Sequence, residues 1–565
     1  MKTSSLWTGA VCLALVGVAT ALPASGQTSG RPNVVISSGT IVGKSFGAIE
    51  SFNGIPFADP PVGNLRLKPP RKLSTSLGTL DAGGIAAACP QMFLSTKGQN
   101  LVTNVLAQIL TLPILQVVNG QEDCLTVNVQ RPAGTSTNAK LPVLVWIFGG
   151  GFELGSSSMY DASGLIANGV SQGKPFVFVG INYRVGGFGF LPGKEVLADG
   201  SANLGLLDQR LALQWVADNI AAFGGDPAKV TLWGESAGAI SVMDQMLLYG
   251  GDNKYNGRAL FRGAIMNSGS VVPAAPVDCP KGQAVYDAVV AAAGCSGSAD
   301  TLGCLRRVDY TTFLQATNSV PGILSYNSVA LSYLPRPDGT ALPRSPDFMV
   351  AANQYAAVPM IIGDQEDEGT LFALFQPNLS STAAVVDYLS KLYFPQASKA
   401  DLTALVNTYS PLLTEGSPFG TGLFNELYPG FKRLAALLGD LVFTLSRRAF
   451  LTSATSLNPS VPAYSYLASY DYGTPVMGTF HGSDLLQVFY GILPNYASKS
   501  IQTYYINFLY NLDPNVGATG YPRWPQWREK QQLMQFFSMS SALLKDDFRS
   551  DSYNWIVSHM SGLYV

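Results

Sequence analysis

The sequence predicts an α/β fold: a large central, mostly parallel sheet with helices on both faces. Two observations carry this. Short apolar runs bounded by turn residues recur at 143–148, 176–182, 230–233, 264–266, 358–362 and 463–467; such runs read as strands buried on both faces. Between them, residues 206–223 and the stretch after Ser236 place apolar side chains at helical spacing. Strands alternating with helices imply parallel pairing through helical crossovers. No repeat and no linker rich in Pro, Gly or Ser divides the chain, so residues 22–565 read as one domain with large insertions.

Each end of the composition narrows the function. With 35 basic against 37 acidic side chains and a pI near 5.8, the chain lacks the basic footprint of a nucleic-acid binder. Only 13% of its residues are charged and the mean hydropathy is +0.19, which suits a thick core or a surface that meets lipid. Met1-Lys2, an apolar stretch over 7–18 and Ala19-Thr20-Ala21 fit a secretory signal peptide of residues 1–21. The stretch is shorter than the ~20 residues of a membrane span, so a soluble, secreted, extracellular protein is expected. Removing Cys12 leaves Cys89, Cys124, Cys279, Cys295 and Cys304, an odd number in an oxidising compartment. Sequence neighbourhood favours Cys89 with Cys124 and Cys295 with Cys304, although spacing does not prove connectivity, and Cys279 is left over. Asn378-Leu-Ser380 is a glycosylation sequon.

The pattern G-x-S-x-G, which exposes a serine on a tight strand-to-helix turn, occurs at 43–47, 169–173 and 234–238. Context separates them. Ser45 lies in an extended segment with no helix behind it, and Ser171 precedes a strand where the motif needs one before it. Only Ser236 has a strand before it, Lys229-Val-Thr-Leu-Trp233, and a helix after it. A serine hydroxyl needs a general base, and the chain has two histidines, His481 and His559. His481, between Gly478-Thr-Phe480 and Gly482-Ser-Asp484, sits in a loop after a strand and is the preferred base. The acid that orients it belongs after the strand at 358–362, where Asp364, Glu366, Asp367 and Glu368 crowd one turn; residue chemistry alone leaves these four open. Gly149-Gly-Gly151-Phe152 follows another strand, and its glycines let backbone N–H groups approach a developing oxyanion. Gly150, Gly151 and Ala237 are the expected donors.

Taken together, Phe57-Ala-Asp-Pro-Pro-Val-Gly-Asn-Leu-Arg66, Glu122-Asp-Cys-Leu125, Trp146-Ile-Phe-Gly-Gly-Gly-Phe152, Asn182-Tyr-Arg184, Ala222-Phe-Gly-Gly-Asp226, Gly234-Glu-Ser-Ala-Gly238, Asp367-Glu-Gly369 and Gly478-Thr-Phe-His481 resemble, in order, the motifs of type-B carboxylesterases and lipases. The resemblance runs from about residue 34 nearly to the C-terminus. It implies the α/β-hydrolase fold and a Ser236–Glu368–His481 triad, thereby choosing among the four acids. It also supports both disulfides and implies an ion pair between Arg66 and Glu122. It implies neither a metal nor an organic cofactor.

Asp364-Gln-Glu-Asp-Glu-Gly-Thr-Leu-Phe372 and Asn425-Glu-Leu-Tyr-Pro-Gly-Phe431 resemble the fungal lipase and sterol-esterase branch in particular. Between Cys89 and Cys124, residues Leu101, Val102, Val105, Leu106, Ile109 and Leu110 share one helical face; this spacing is ordinarily core packing, but in that branch the disulfide-framed loop is a lid, here about 90–123. The expectation is a secreted serine ester hydrolase acting on long-chain acylglycerols and steryl esters at an oil–water interface, with homodimers sealed through lid faces permitted. A short-chain carboxylesterase is the alternative within enzymes. A non-catalytic, cholinesterase-like adhesion protein is the alternative outside them, and an intact triad argues against it.

Overall fold

A computed structural model describes residues 30–93, 120–471 and 474–565, and residues 32–565 form one structural unit. The predicted signal peptide and all but the ends of the predicted lid lie outside the described residues. The main sheet is built from β1 (Lys44–Phe46), β2 (Ile49–Pro56), β3 (Thr126–Pro132), β4 (Leu141–Ile147), β5 (Val177–Ile181), β6 (Gly225–Glu235), β7 (Gly263–Asn267), β8 (Met360–Gln365), β9 (Ala463–Ala468), β10 (Gln532–Phe536) and β11 (Ser541–Lys545). Their spatial order is β11-β10-β9-β8-β7-β6-β4-β5-β3-β2-β1. From β5 to β10 every neighbouring pair is parallel. β1, β2, β3 and β5 pair antiparallel, as do β10 and β11.

All six runs of apolar residues are strands of the parallel centre. In β5, β7, β8 and β9 every residue is buried. Because side chains alternate between faces, both faces there are covered. One boundary moved. The expected strand at 358–362 begins at Met360, since Pro359 has no N–H to give a ladder, although its carbonyl accepts from Ala264 N at 3.1 Å. It also continues through Asp364 and Gln365, where the apolar reading stopped, because Arg447 Nε donates to the buried Asp364 at 2.7 Å.

Helix α1 (Leu204–Asn219) runs on as a 3-10 turn, Ile220–Phe223, and α2 (Ala237–Gly251) follows Ser236; these are the two expected helices. Further along, α3 (Pro280–Ala292) begins at Cys279, whose sulfur accepts the N–H of Gly282 at 3.3 Å. The leftover thiol is therefore a helix N-cap, half-buried and unpaired with another cysteine. The other four cysteines form the disulfides Cys89–Cys124 and Cys295–Cys304. Beside the first, Arg66 donates to Glu122 from Nε at 2.5 Å and Nη2 at 2.8 Å, the bidentate geometry that suits a guanidinium and a carboxylate. No helix among the described residues is long and apolar enough to cross a membrane.

The apolar interior falls into two clusters. One wraps the sheet. The other gathers Phe372, Leu389, Leu434, Phe443 and Phe480, and the functional site lies along the seam between them.

Candidate active site

Strand β6 ends at Glu235 and α2 begins at Ala237, so Ser236 makes the whole turn, with φ 57° and ψ −128°. That backbone is strained for a side chain other than glycine. The turn closes only because its flanks are bare: a Cβ on Gly234 would lie 2.3 Å from Gly238, and one on Gly238 would lie 2.0 Å from the carbonyl oxygen of Ile147. Ser236 N donates to Asn267 O on β7 at 2.9 Å, pinning the turn to the sheet. The hydroxyl is thereby presented beyond the C-terminal ends of the parallel strands, where ligands bind in folds of this kind.

His481 reaches that hydroxyl from the far side of the seam. Its Nε2 lies 2.8 Å from Ser236 Oγ, and its Nδ1 lies 2.5 Å from Glu368 Oε2. The second oxygen of Glu368 accepts Gln365 N at 2.7 Å. Glu368 and His481 meet because an isolated parallel bridge pairs Asp367 with Phe480, the residue before each. Phe372 and Phe443 pack on the imidazole with ring centres 4.9 and 4.6 Å away.

Of the four acids that residue chemistry left open, only Glu368 meets the histidine. Asp364 is paired with Arg447, while Asp367 accepts from Ser417 Oγ, Phe419 N and Thr479 N and so ties the loops together. Burial pushes Glu366 up to about 7. His559 stands apart, stacked on Trp555 with ring centres 4.1 Å apart.

The electrostatics favour a charged imidazole. Burial disfavours it, but Glu368 opposes burial by charge and hydrogen bond, helped by Glu235 and Asp484, and the pKa of His481 rises to about 9. Glu235 was part of the serine motif but had no assigned role in sequence; its Oε1 is 3.5 Å from His481 Nε2, and burial pushes it up to about 8. Asp484, pushed up by burial to about 6, accepts Asn267 Nδ2 at 2.7 Å.

The glycine loop completes the arrangement. Gly150 and Gly151 have φ 105° and 64°, values that favour glycine, and Gly150 O accepts both Glu153 N and Leu154 N. Among the described residues no backbone carbonyl accepts the N–H of Gly150 or Gly151. Ala237 is the first residue of α2, so its N–H has no partner within the helix. Two cavities flank Ser236. One, of about 710 Å³, is shared by the glycine loop, Ser236, Glu235 and His481. The other, of about 630 Å³, runs beside α2 and is walled almost wholly by apolar side chains. Glu153, buried and pushed up to about 8, accepts Ile323 N at 2.7 Å and holds that residue in the walls of both.

A hydroxyl, an imidazole and a carboxylate in sequence can make the hydroxyl a nucleophile, and three N–H groups beside it, without a backbone acceptor among the described residues, can receive an oxyanion. Parallel centre, turn and glycine loop together are those of an α/β hydrolase. The chain belongs to the carboxylesterase family, whose sequence profile, "Carboxylesterase family", matches residues 30–554. It is 62% identical over 550 residues to the secreted triacylglycerol lipase LIP1 of Gibberella zeae, covering 97% of this chain and 94% of that one. To Lipase 2 of Diutina rugosa it is 45% identical, covering 98% and 100%. The crystal structure of EstA from Aspergillus niger superposes with a TM-score of 0.79 at 26% identity, covering 95% of this chain and 99% of that one.

Proposed function

We propose that this chain is a secreted serine hydrolase of long-chain lipid esters, a triacylglycerol lipase that also accepts steryl esters. The observation that carries the reading is the Ser236–His481–Glu368 relay, with contacts of 2.8 and 2.5 Å, opening onto an apolar cavity of about 630 Å³. The reading is supported by relatives named as secreted triacylglycerol lipase and secreted lipase at 62% and 59% identity.

In the proposed reaction His481 Nε2 takes the proton of Ser236 as Oγ attacks the ester carbonyl. The N–H groups of Gly150, Gly151 and Ala237 receive the oxyanion; one such donor is worth about 10²- to 10³-fold in rate. Glu368 fixes the tautomer of His481 through Nδ1 and stabilises the imidazolium. His481 then protonates the departing alcohol, and water, deprotonated by the same nitrogen, releases the acid. The apolar cavity takes the acyl chain. The segment between Cys89 and Cys124 serves as the lid, residues 1–21 as the signal peptide, and Asn378, exposed at the surface, as the glycosylation site.

The test is turnover of emulsified triacylglycerol and cholesteryl oleate beside a dissolved butyrate ester, for wild type and Ser236→Ala. Loss of all three in the variant, with strong long-chain turnover in wild type, is the expected result. Butyrate turnover alone would leave a short-chain carboxylesterase, and no labelling by a serine-directed organophosphonate would leave a non-catalytic protein.

A further inference from the structure

The apolar cavity beside α2 contains one side chain that the proposed reaction does not use. Ser236, Ile240 and Asp244 line it at intervals of four residues, one face of a regular helix. Among the described residues, Ser236 and Asp244 are the only polar side chains on that wall. Asp244 is 2% exposed, and its Oδ2 has no hydrogen-bond partner among the described residues. Among the described residues no cation and no donor offsets its desolvation, and burial pushes it well above the usual carboxylate range. An unpartnered buried carboxyl is destabilising, and an apolar residue at this position would finish the wall without that cost. As a neutral acid it offers one O–H donor and one carbonyl acceptor.

Its depth in the cavity specifies what could meet it. Eight residues of helix separate it from Ser236, about 12 Å at ~1.5 Å per residue. An extended acyl chain advances about 1.25 Å per carbon with C–C bonds of ~1.5 Å, so a chain esterified to Ser236 passes Asp244 at about its eighth to twelfth carbon. We infer that Asp244 is a specificity residue of the acyl cavity, hydrogen-bonding a hydroxyl carried near the middle of the chain, so that esters of mid-chain hydroxylated long-chain acids are preferred. The inference rests on the proposed ester hydrolysis at Ser236 and on this cavity as the acyl site.

The experiment uses p-nitrophenyl octadecanoates that are unsubstituted or carry one hydroxyl at carbon 2, 10 or 12, with the whole protein in mixed micelles. In wild type, kcat/KM for the 10- or 12-hydroxy ester should exceed that of the unsubstituted ester by roughly 3- to 10-fold, the worth of one net hydrogen bond, with no such gain at carbon 2. Asp244→Asn, which keeps a donor and an acceptor, should retain most of the preference. Asp244→Leu should reverse it, because the hydroxyl then meets an apolar wall. A profile in wild type that is flat along the chain overturns the inference even if neither variant folds, as does an unchanged profile in a folded Asp244→Leu. Absence of turnover of every octadecanoyl ester would instead overturn the proposed function.

Discussion

Glu368→Gln tests the relay with little change of shape. Glu368 is 1% exposed and serves two donors, Gln365 N through Oε1 and His481 Nδ1 through Oε2. An amide has one acceptor oxygen. If that oxygen keeps Gln365, the NH₂ faces Nδ1, His481 must carry its proton on Nε2, and no base faces Ser236. If the amide turns over, the NH₂ faces Gln365 N–H and a buried donor is left unpaired, which costs about 1–3 kcal/mol. Charge stabilisation of the imidazolium is lost in either case. The net rise of His481 from 6.5 to about 9, which Glu368 produces against burial with help from Glu235 and Asp484, corresponds to on the order of 3 kcal/mol at ~1.4 kcal/mol per unit. Together these give about 3–6 kcal/mol, or a fall in kcat of about 10²- to 10⁴-fold; carboxylate-to-amide replacement in a comparable triad reaches about 10⁴. The assay is kcat on a dissolved butyrate ester, with thermal melting to verify folding. A folded variant within tenfold of wild type would refute the argument. So would an equal loss in Glu366→Gln, whose side chain bonds Ser469 and neither His481 nor Ser236.

Four further outcomes are expected. Since only neutral His481 can act as base and its pKa is raised to about 9, kcat/KM should climb with pH on a limb well above 6.5, and Glu235→Gln, by removing a charge that raises it, should move the limb to lower pH; an unmoved limb would remove Glu235 from the electrostatics. The same shift makes His481 contribute stability that is full below pH 6.5 and lost as pH rises through about 9, readable as a fall in Tm over that window. Arg447→Met should cost about 3–5 kcal/mol in urea unfolding, because it leaves Asp364 and Asp546, both fully buried, without the guanidinium that bonds them at 2.7 Å; a loss under 1 kcal/mol would contradict this. Gly238→Ala, whose Cβ would meet a backbone oxygen at 2.0 Å, should lower soluble yield and Tm more than Ala239→Gly in the next position, and a wild-type melt would disprove the close-packing argument for the serine turn.

The parallel centre of the sheet is legible in the amino-acid order alone, because strands buried on both faces are written as unbroken apolar runs. That order also selected Ser236 among three motif matches, since only one has a strand before it and a helix after. The antiparallel arm was not legible in the same way. β3 carries Asn128, Gln130 and Arg131, polar residues that interrupt any apolar run, yet all three are buried and bonded to Ser157, Asp161 and Glu50 from other segments. Residue chemistry could not choose among Asp364, Glu366, Asp367 and Glu368; family resemblance named Glu368, and the physical reason is tertiary, the bridge from Asp367 to Phe480 that sets the next residues side by side. Asp244 shows the same division. In sequence it is one acid on a helix after the serine motif. Only packing the two apolar clusters around a cavity along the face of α2 puts that acid, unpartnered, in line with the nucleophile, because burial and hydrogen-bond satisfaction depend on segments distant along the chain.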